Sequence, residues 1–232
     1  MISFILPVYN EANKLKRNVA KLKNFLDSLK IDYEIIIAED GSTDGSDKIA
    51  ERLSRDKKIV HVHSNKKLGK GGSLKNAVSF VKGDVIYMDV DLATGIENVK
   101  DVMRFLEEYD VVIGSRYLKS SETSRTLKRF LLSKIYHFFV RMFFPGLGLT
   151  DTECGFKGFK RKVFVNLNKQ IRNSEWSWDL EFLVRAKNKG YSIKEIAVKW
   201  KEGKETKMNL FRDSLSQFFE IIRIKLEVTI GS

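Results

Sequence analysis

The chemistry legible in this chain starts with Asp89 and Asp91, which follow the apolar run Val85-Ile86-Tyr87-Met88 and flank Val90. In extended backbone, side chains two positions apart point the same way, so both carboxylates face one side. Two like charges held together are costly in a dry interior and become favourable where a divalent cation bridges them. Such a cation implies a ligand rich in anionic oxygen, most simply a nucleotide diphosphate. Taken alone the pair also fits a polar turn after a strand, so its meaning depends on what surrounds it.

The elements that must position the pair alternate between two periods. Ile2 to Val8 reads as a strand. Glu11 to Leu29 carries helical spacing through Leu15, Val19, Leu22, Phe25, Leu26 and Leu29, and Tyr33 to Ala38 is an almost wholly apolar second strand. A helix from about Asp44 to Leu53, a strand from Ile59 to His63, a helix from Gly69 through Val81, the strand Val85 to Met88, a helix from Ile96 to Glu108 and a strand Val111 to Gly114 follow. Strands separated by helices predict an α/β fold with a mainly parallel central sheet and right-handed crossovers. Ligands of such sheets lie beyond the carboxyl ends of the strands, near a switch point in strand order.

The polar residues obey that rule. Tyr9-Asn10-Glu11 follows the first strand, Glu39-Asp40-Gly41-Ser42-Thr43-Asp44 the second, Leu68-Gly69-Lys70-Gly71-Gly72-Ser73 the third, Asp89 and Asp91 the fourth, and Gly114-Ser115-Arg116 the fifth. Asn10 and Asp44 have a second reading as helix N-caps, and Gly41 and Gly45 as turn glycines. The recurrence at successive strand ends predicts one crevice that binds a nucleotide. Within it, Lys70 can neutralise phosphate, but the glycine-rich stretch lacks Walker A spacing and places Leu74 where G-x-G-x-x-G needs glycine. ATP hydrolysis and dinucleotide-dependent hydride transfer are therefore not supported.

Composition sets the outer bounds. At 232 residues with 43% hydrophobic content, the chain can bury a substantial core in one α/β domain. The formal charge of +12 calls for an acidic partner, whether nucleic acid, an anionic membrane surface or phosphorylated small molecules. No RNA-binding signature accompanies the dispersed basic residues, so nucleic acid is not expected as the partner. Cys154 is the single cysteine, which excludes an intrachain disulfide and a zinc ribbon and predicts a buried free thiol. The strand-like Ile2 to Leu6 leaves no room for a signal peptide, and no apolar run of membrane-spanning length appears. The expected setting is cytoplasmic, with any membrane contact peripheral and on the cytoplasmic face; the oligomeric state is left open.

The ordered set PVYNE (Pro7 to Glu11), EDGSTDGS (Glu39 to Ser46), LGKGGS (Leu68 to Ser73), DVD (Asp89 to Asp91) and GSR (Gly114 to Arg116) resembles the nucleotide-sugar half of glycosyltransferase family 2. DTECGFKGF (Asp151 to Phe159), WSWDLEFL (Trp176 to Leu183) and EIAVKWKEGKETK (Glu195 to Lys207) are similar to the polyprenyl-phosphate glycosyltransferases, most of all the dolichyl-phosphate glucose synthases and next the mannose synthases. The resemblance covers nearly the whole chain and implies a single GT-A type, Rossmann-like domain. Residues 1–117 would form its nucleotide-sugar half and residues 118–232 its acceptor half.

It also implies roles. Pro7, Tyr9 and Glu11 would hold the uracil or guanine and the ribose, with Asp40 hydrogen-bonding the base. Asp89 and Asp91 match the motif for metal and ribose-diphosphate, Asp91 being the better match for direct ligation of Mg²⁺ or Mn²⁺. Lys70 would lie near the sugar or its phosphates, and Thr206-Lys207 matches a Ser-Lys position that closes over the diphosphate. Arg116 and Arg129 match a pair of arginines that grip the acceptor phosphate. Asp151 and Asp179 are expected to line the sugar pocket, with helix capping and local hydrogen bonding as the alternative. Mannose synthases often carry Gln two residues beyond the second Asp, where this chain has Ala93; that departure favours glucose, from UDP-glucose, over mannose from GDP-mannose. A polyprenyl or dolichyl phosphate acceptor is already ionised and attacks the anomeric carbon without a general base. In the family this displacement inverts the anomeric centre. A family 2 enzyme with a soluble hydroxyl acceptor is the rival reading, and it would need a carboxylate base.

Two segments bear on the lipid. Between about 128 and 144, Arg129, Ser133, His137 and Arg141 recur every four positions, while Phe130, Leu131, Leu132, Ile135, Tyr136, Phe138, Phe139, Val140, Met142, Phe143 and Phe144 fill the other faces. This is too charged to span a bilayer and suited to lie in its interface. A second helix is expected over about 210–228, with Phe211, Leu215, Phe218, Ile222 and Leu226 on one stripe, which fits a core-facing helix equally well.

Overall fold

The computed structural model describes residues 1–124, 126–172, 175–201 and 210–230, apart from the side chains of residues 128, 129, 210–216, 229 and 230. The first half forms β1 (Ile2–Val8), α1 (Ala12–Ser28), β2 (Tyr33–Glu39), α2 (Ser46–Leu53), β3 (Ile59–His63), α3 (Lys70–Ala77), β4 (Asp84–Met88), α4 (Val99–Phe105) and β5 (Val111–Ser115). The expected helices over 69–81 and 96–108 are thus each split, with short 3-10 turns at Val78–Phe80 and Ile96–Asn98. The second half adds β6 (Glu122–Ser124), α5 (Leu127–Phe143), β7 (Phe156–Phe159), α6 (Arg161–Asn168), α7 (Trp178–Asn188), β8 (Ile193–Ala197), β9 (Lys199–Lys201) and α8 (Leu210–Ile230).

The main sheet has the order β3-β2-β1-β4-β7-β5-β8. Strands β1 to β4 pair in parallel, as do β5 and β8, whereas β7 runs antiparallel between β4 and β5. The chain steps from β1 out to β2 and β3 and then returns to place β4 on the other side of β1. That reversal is the switch point at which parallel sheets bind ligands. Every residue of β2 and β5 is buried, as expected of strands covered on both faces.

One face of the sheet packs Leu15, Val19, Leu22 and Leu26 of α1 with Val99 and Val102 of α4. The other packs Leu74 of α3, Phe164 of α6 and Trp178 and Phe182 of α7 against Tyr87 and Phe159. Cys154 is a buried free thiol, and burial pushes its pKa up to about 11. Among the described residues no helix is long and apolar enough to cross a membrane.

Candidate active site

The loops after β1 and β2 are built as one unit. Asn10, at the left-handed φ of 54°, accepts the Thr43 amide on its Oδ1 at 2.8 Å and donates its own amide to Ser42 Oγ at 2.9 Å. The Glu11 and Ala12 amides, the free donors at the start of α1, go to Ser46 Oγ at 2.8 Å and Asp44 Oδ2 at 2.9 Å. Asp44 therefore caps α1 from the loop after β2 as well as bonding Ser46 at the start of α2. Burial raises the pKa of Asp44, but hydrogen bonds from Ser46 and Ala12 outweigh it and hold the carboxyl below its ordinary range. Of the two residues read from sequence as possible caps, Asp44 acts as one and Asn10 serves as a loop clasp.

The loop after β3 joins the same unit through Asp40. Its oxygens accept the Leu68 amide at 2.6 Å and the Gly69 amide at 2.9 Å, and the residue is 3% exposed. Burial raises its pKa despite those bonds. A carboxylate has further lone pairs, so this bonding leaves Asp40 with acceptor capacity. Gly41, at φ +66°, lies against the backbone of Lys66 and Lys67, where a Cβ would collide. Pro7 continues β1 beside Ala38, Lys67 lies over the Tyr9 ring at 4.6 Å, and Glu11 pairs with Lys14 at 3.0 Å.

At the β4 end, the Asp89 amide donates to Gly155 O at 3.0 Å, and a side chain at Gly155 would collide with the Asp89 carboxylate. The turn that follows is held by Asn18 of α1, whose amide nitrogen donates to Val90 O at 2.9 Å, and by the Ala93 amide, which bonds Asp91 Oδ1 at 3.0 Å. Leu92 takes the left-handed φ of 54°, an uncommon conformation for a branched residue. Burial is the main cause of the raised Asp91 pKa, and the charge of Asp89 adds to it. The pair forms an acidic edge on which a cation would be favoured.

Lys70 lies on this edge, 3.5 Å from Asp89 and 3.5 Å from Asp179. Burial opposes its charge, but Asp89, Tyr87 and Asp179 prevail and hold the ammonium well above the usual lysine range. Asp179 stands in the first turn of α7, where the helix dipole favours an anion. Its other oxygen accepts from Lys157 Nζ at 2.6 Å. Lys157 is 0% exposed and also donates to Cys154 O at 2.6 Å. The row Lys157, Asp179, Lys70, Asp89 thus alternates in sign from the core to the crevice. Lys157 lies within a motif quoted above but escaped assignment, and the only hint is a charged residue inside the run Phe156 to Phe159.

Asp151 and Arg116 form a separate assembly. Arg116 Nε donates to Asp151 Oδ2 at 2.7 Å, Nη2 to Oδ1 at 2.9 Å and the Arg116 amide to Oδ2 at 3.0 Å. Oδ1 also accepts the Glu153 and Cys154 amides, both at 3.1 Å. Asp151 is 0% exposed. Burial would raise its pKa, but the Arg116 charge and hydrogen bonds prevail and hold it well below the carboxylate range. Its carboxylate is engaged in local hydrogen bonds. Glu195 of β8, which had no assigned role, fixes the same loop by accepting the Thr150 and Asp151 amides.

Helix α5 is fastened to that loop by its polar stripe. Tyr117 Oη donates to Ser133 Oγ at 2.6 Å, Ser133 Oγ donates to Glu153 at 3.1 Å, and the Thr152 amide donates to His137 Nε2 at 3.2 Å. His137 Nδ1 lies 2.7 Å from Ser133 O, so it carries the proton. The recurring polar positions therefore point inward at Ser133 and His137. The outward stripe is Leu127, Leu131, Ile135, Phe138 and Met142, all more than half exposed. On α8, Phe218 packs against Phe139 at 4.8 Å between ring centroids, and Ile221 and Ile224 are buried. Leu226, expected on the same stripe as Phe218, is instead exposed, because the packed face follows 218, 221 and 224. The side chain of Arg129 and the whole of Lys207 lie outside the described residues.

The sequence profile described as glycosyl transferase family 2 matches residues 3–167 of this chain. The chain belongs to that family. As a family member it carries a glycosyltransferase domain, and its similarity to curated relatives spans nearly its full length. It is 37% identical over 235 residues to the glycosyltransferase AglD of Haloferax volcanii, covering 99% of this chain and 38% of that protein. It is 32% identical over 249 residues to dolichyl-phosphate beta-glucosyltransferase of Dictyostelium discoideum, covering 99% of this chain and 75% of the relative. In fold, the transferase superposes on glucosyl-3-phosphoglycerate synthase from Mycobacterium tuberculosis, solved with UDP. That match has a TM-score of 0.73 at 17% identity and covers 98% of this chain and 79% of the other.

Proposed function

We propose that the protein transfers glucose from UDP-glucose to a dolichyl-type polyprenyl phosphate, working peripherally at the cytoplasmic face of a membrane. The observation that carries this reading is the fastening of α5: its outward face is apolar, and its inward face bonds the loop that holds Arg116. An acceptor phosphate whose tail lies in the bilayer interface would reach the protein along this helix.

In this reading Pro7, Tyr9, Glu11 and Asp40 hold the base and ribose. Asp89 and Asp91 would hold Mg²⁺ or Mn²⁺, and the donor set fits, since Asp91 is disfavoured as an anion by burial and by its neighbour. A bound divalent ion supplies charge neutralisation at the diphosphate. Lys70 adds a positive charge at the sugar or phosphates, Asp179 orients the sugar, and Lys207 closes over the diphosphate. Arg116, presented by Asp151, and Arg129 grip the acceptor phosphate. The acceptor needs no proton removed, so positioning and stabilisation of the leaving diphosphate account for catalysis. Attack on an α-linked donor then gives a β-linked lipid phosphate sugar. The solved relative with Mn²⁺, UDP and glucosyl-3-phosphoglycerate supports the metal, and the names of the curated relatives support the lipid acceptor.

The test is transfer of radiolabelled sugar from UDP-glucose and, separately, GDP-mannose to a short polyprenyl phosphate, with Mg²⁺, with Mn²⁺ and with chelator. Metal-dependent, acid-labile glycolipid from UDP-glucose is the expected product. Product from GDP-mannose alone would overturn the donor, and no lipid product from either would overturn the acceptor.

A further inference from the structure

Away from the crevice edge just described, Glu39, His61 and His63 form a cluster on one face of the sheet. His61 and His63 are two positions apart on β3, so they share a face, and Glu39 stands beside His63 in the register of β2 against β3. One ligand atom from each residue lies within 4.8 Å of the other two. The His63 and Glu39 side chains are 46% and 0% exposed, and His63 Nδ1 lies 2.6 Å from Glu39 Oε2.

An ordinary ion pair accounts for His63 and Glu39 but leaves His61 unexplained. Its Nε2 is buried and has no hydrogen-bond partner among the described residues. Buried polar groups are nearly always satisfied, and an exception asks for a missing partner such as an ion or water. The charges of Glu51 and Asp47 on α2 add negative potential at His61, on a strongly basic chain. The Glu39 carboxylate is already oriented, because its other oxygen accepts the Ser42 amide, the kind of outer support that ligating carboxylates require.

We propose that Glu39, His61 and His63 bind a borderline transition metal of the Zn²⁺ class, with an open fourth position beside exposed His63. Two imidazoles and one carboxylate select such a metal over Mg²⁺ or Ca²⁺, which prefer oxygen alone. The ion replaces the proton shared by His63 and Glu39 and satisfies His61. It staples edge strand β3 to β2 immediately before Asp40, stabilising the loop that carries the nucleotide residues. The site is chemically distinct from the oxygen-only pair Asp89 and Asp91 and stands whether or not the proposed substrates are right.

The test uses the full chain, stripped of metal with chelator, in saturating Mg²⁺ so that oxygen-only positions are filled. Titration with Zn²⁺ in a calorimeter and with Co²⁺ in a spectrophotometer is expected to give one equivalent, with the visible bands of four-coordinate cobalt and a thermal midpoint that rises with Zn²⁺. His63→Ala changes an exposed side chain and should fold; His61→Gln provides a second, polar variant. Each is expected to weaken binding by about tenfold or more and to abolish the cobalt bands. Unchanged affinity in both variants, or a six-coordinate cobalt spectrum in the unaltered protein, would overturn the proposal.

Discussion

At the end of β4, Asp89 and Asp91 stand together with Lys70 shared between Asp89 and Asp179, while at the end of β5 Asp151 is enclosed by Arg116 and backbone amides. The physical cause of the difference is the partner. Asp91 carries a raised pKa because burial and a like charge act on it together, whereas Asp151 is more deeply buried and has a lowered one because a guanidinium meets it with matched geometry. The first region would be stabilised by a further cation, whereas the second carries its counter-charge within the protein. Changes in the two regions should accordingly differ in sign in their effect on stability.

The largest effect is expected from Asp91→Asn. Removing a carboxylate that is unfavourable in the folded protein should leave the thermal midpoint unchanged or slightly raised, while transfer falls by about 10³-fold, comparable to loss of a strong transition-state contact. Sugar transfer and a melting curve on the same sample check both halves. Full turnover in a stable variant would remove Asp91 from the metal site.

Asp151→Asn should instead cost stability, and with it the positioning of Arg116. It leaves the largely buried Arg116 without its counter-charge, which costs about 3 kcal/mol of stability. Urea unfolding measures this directly. The pH dependence sharpens the point. Because the folded pKa of Asp151 lies below its ordinary value of 3.8, its contribution is fully present above that value and is lost as pH falls through the folded pKa. The variant should therefore show a flatter stability profile at the acid end. Asp91 has the opposite sign, since its ionisation costs stability above its raised pKa and protonation relieves that cost.

Metal removal compares the same regions without mutation. At a hundredfold excess over its dissociation constant, Mn²⁺ should stabilise the protein by about 2.7 kcal/mol. The shift, read by thermal unfolding with Mg²⁺ or Mn²⁺ against chelator, should vanish in Asp91→Asn. It should persist in any folded Asp151 variant.

How far this contrast was legible in sequence depended on how local each partner is. The parallel strands β1 to β4 and the loop clusters at their ends could be read directly, because period and turn residues lie close together along the chain. Strand β7 could not, since four residues ending in Phe159 do not reveal that they insert antiparallel between β4 and β5. The same distance hid Lys157, whose counter-ion Asp179 comes from α7, and the pairing of Arg116 with Asp151, 35 residues on. In α5 the polar recurrence at 133 and 137 was visible, but its direction was set by Tyr117, Glu153 and Thr152 from elsewhere.

That direction yields the mildest and most selective prediction. Phe138 is 58% exposed and its backbone belongs to a helix already anchored by His137 and Val140. Phe138→Ser should therefore change stability by no more than about 0.5 kcal/mol, as for other surface substitutions. If the outward stripe lies in a bilayer, the lost apolar contact should lower partition onto anionic lipid vesicles by about tenfold, since burying a phenylalanine contributes roughly 1.5–3 kcal/mol. Cosedimentation with vesicles measures this, and transfer to a short, soluble polyprenyl phosphate provides the control. A parallel fall in both assays would place Phe138 against the acceptor itself. Loss of vesicle binding with the soluble reaction intact would make α5 the membrane-facing element, held by its polar stripe to the loop that presents Arg116.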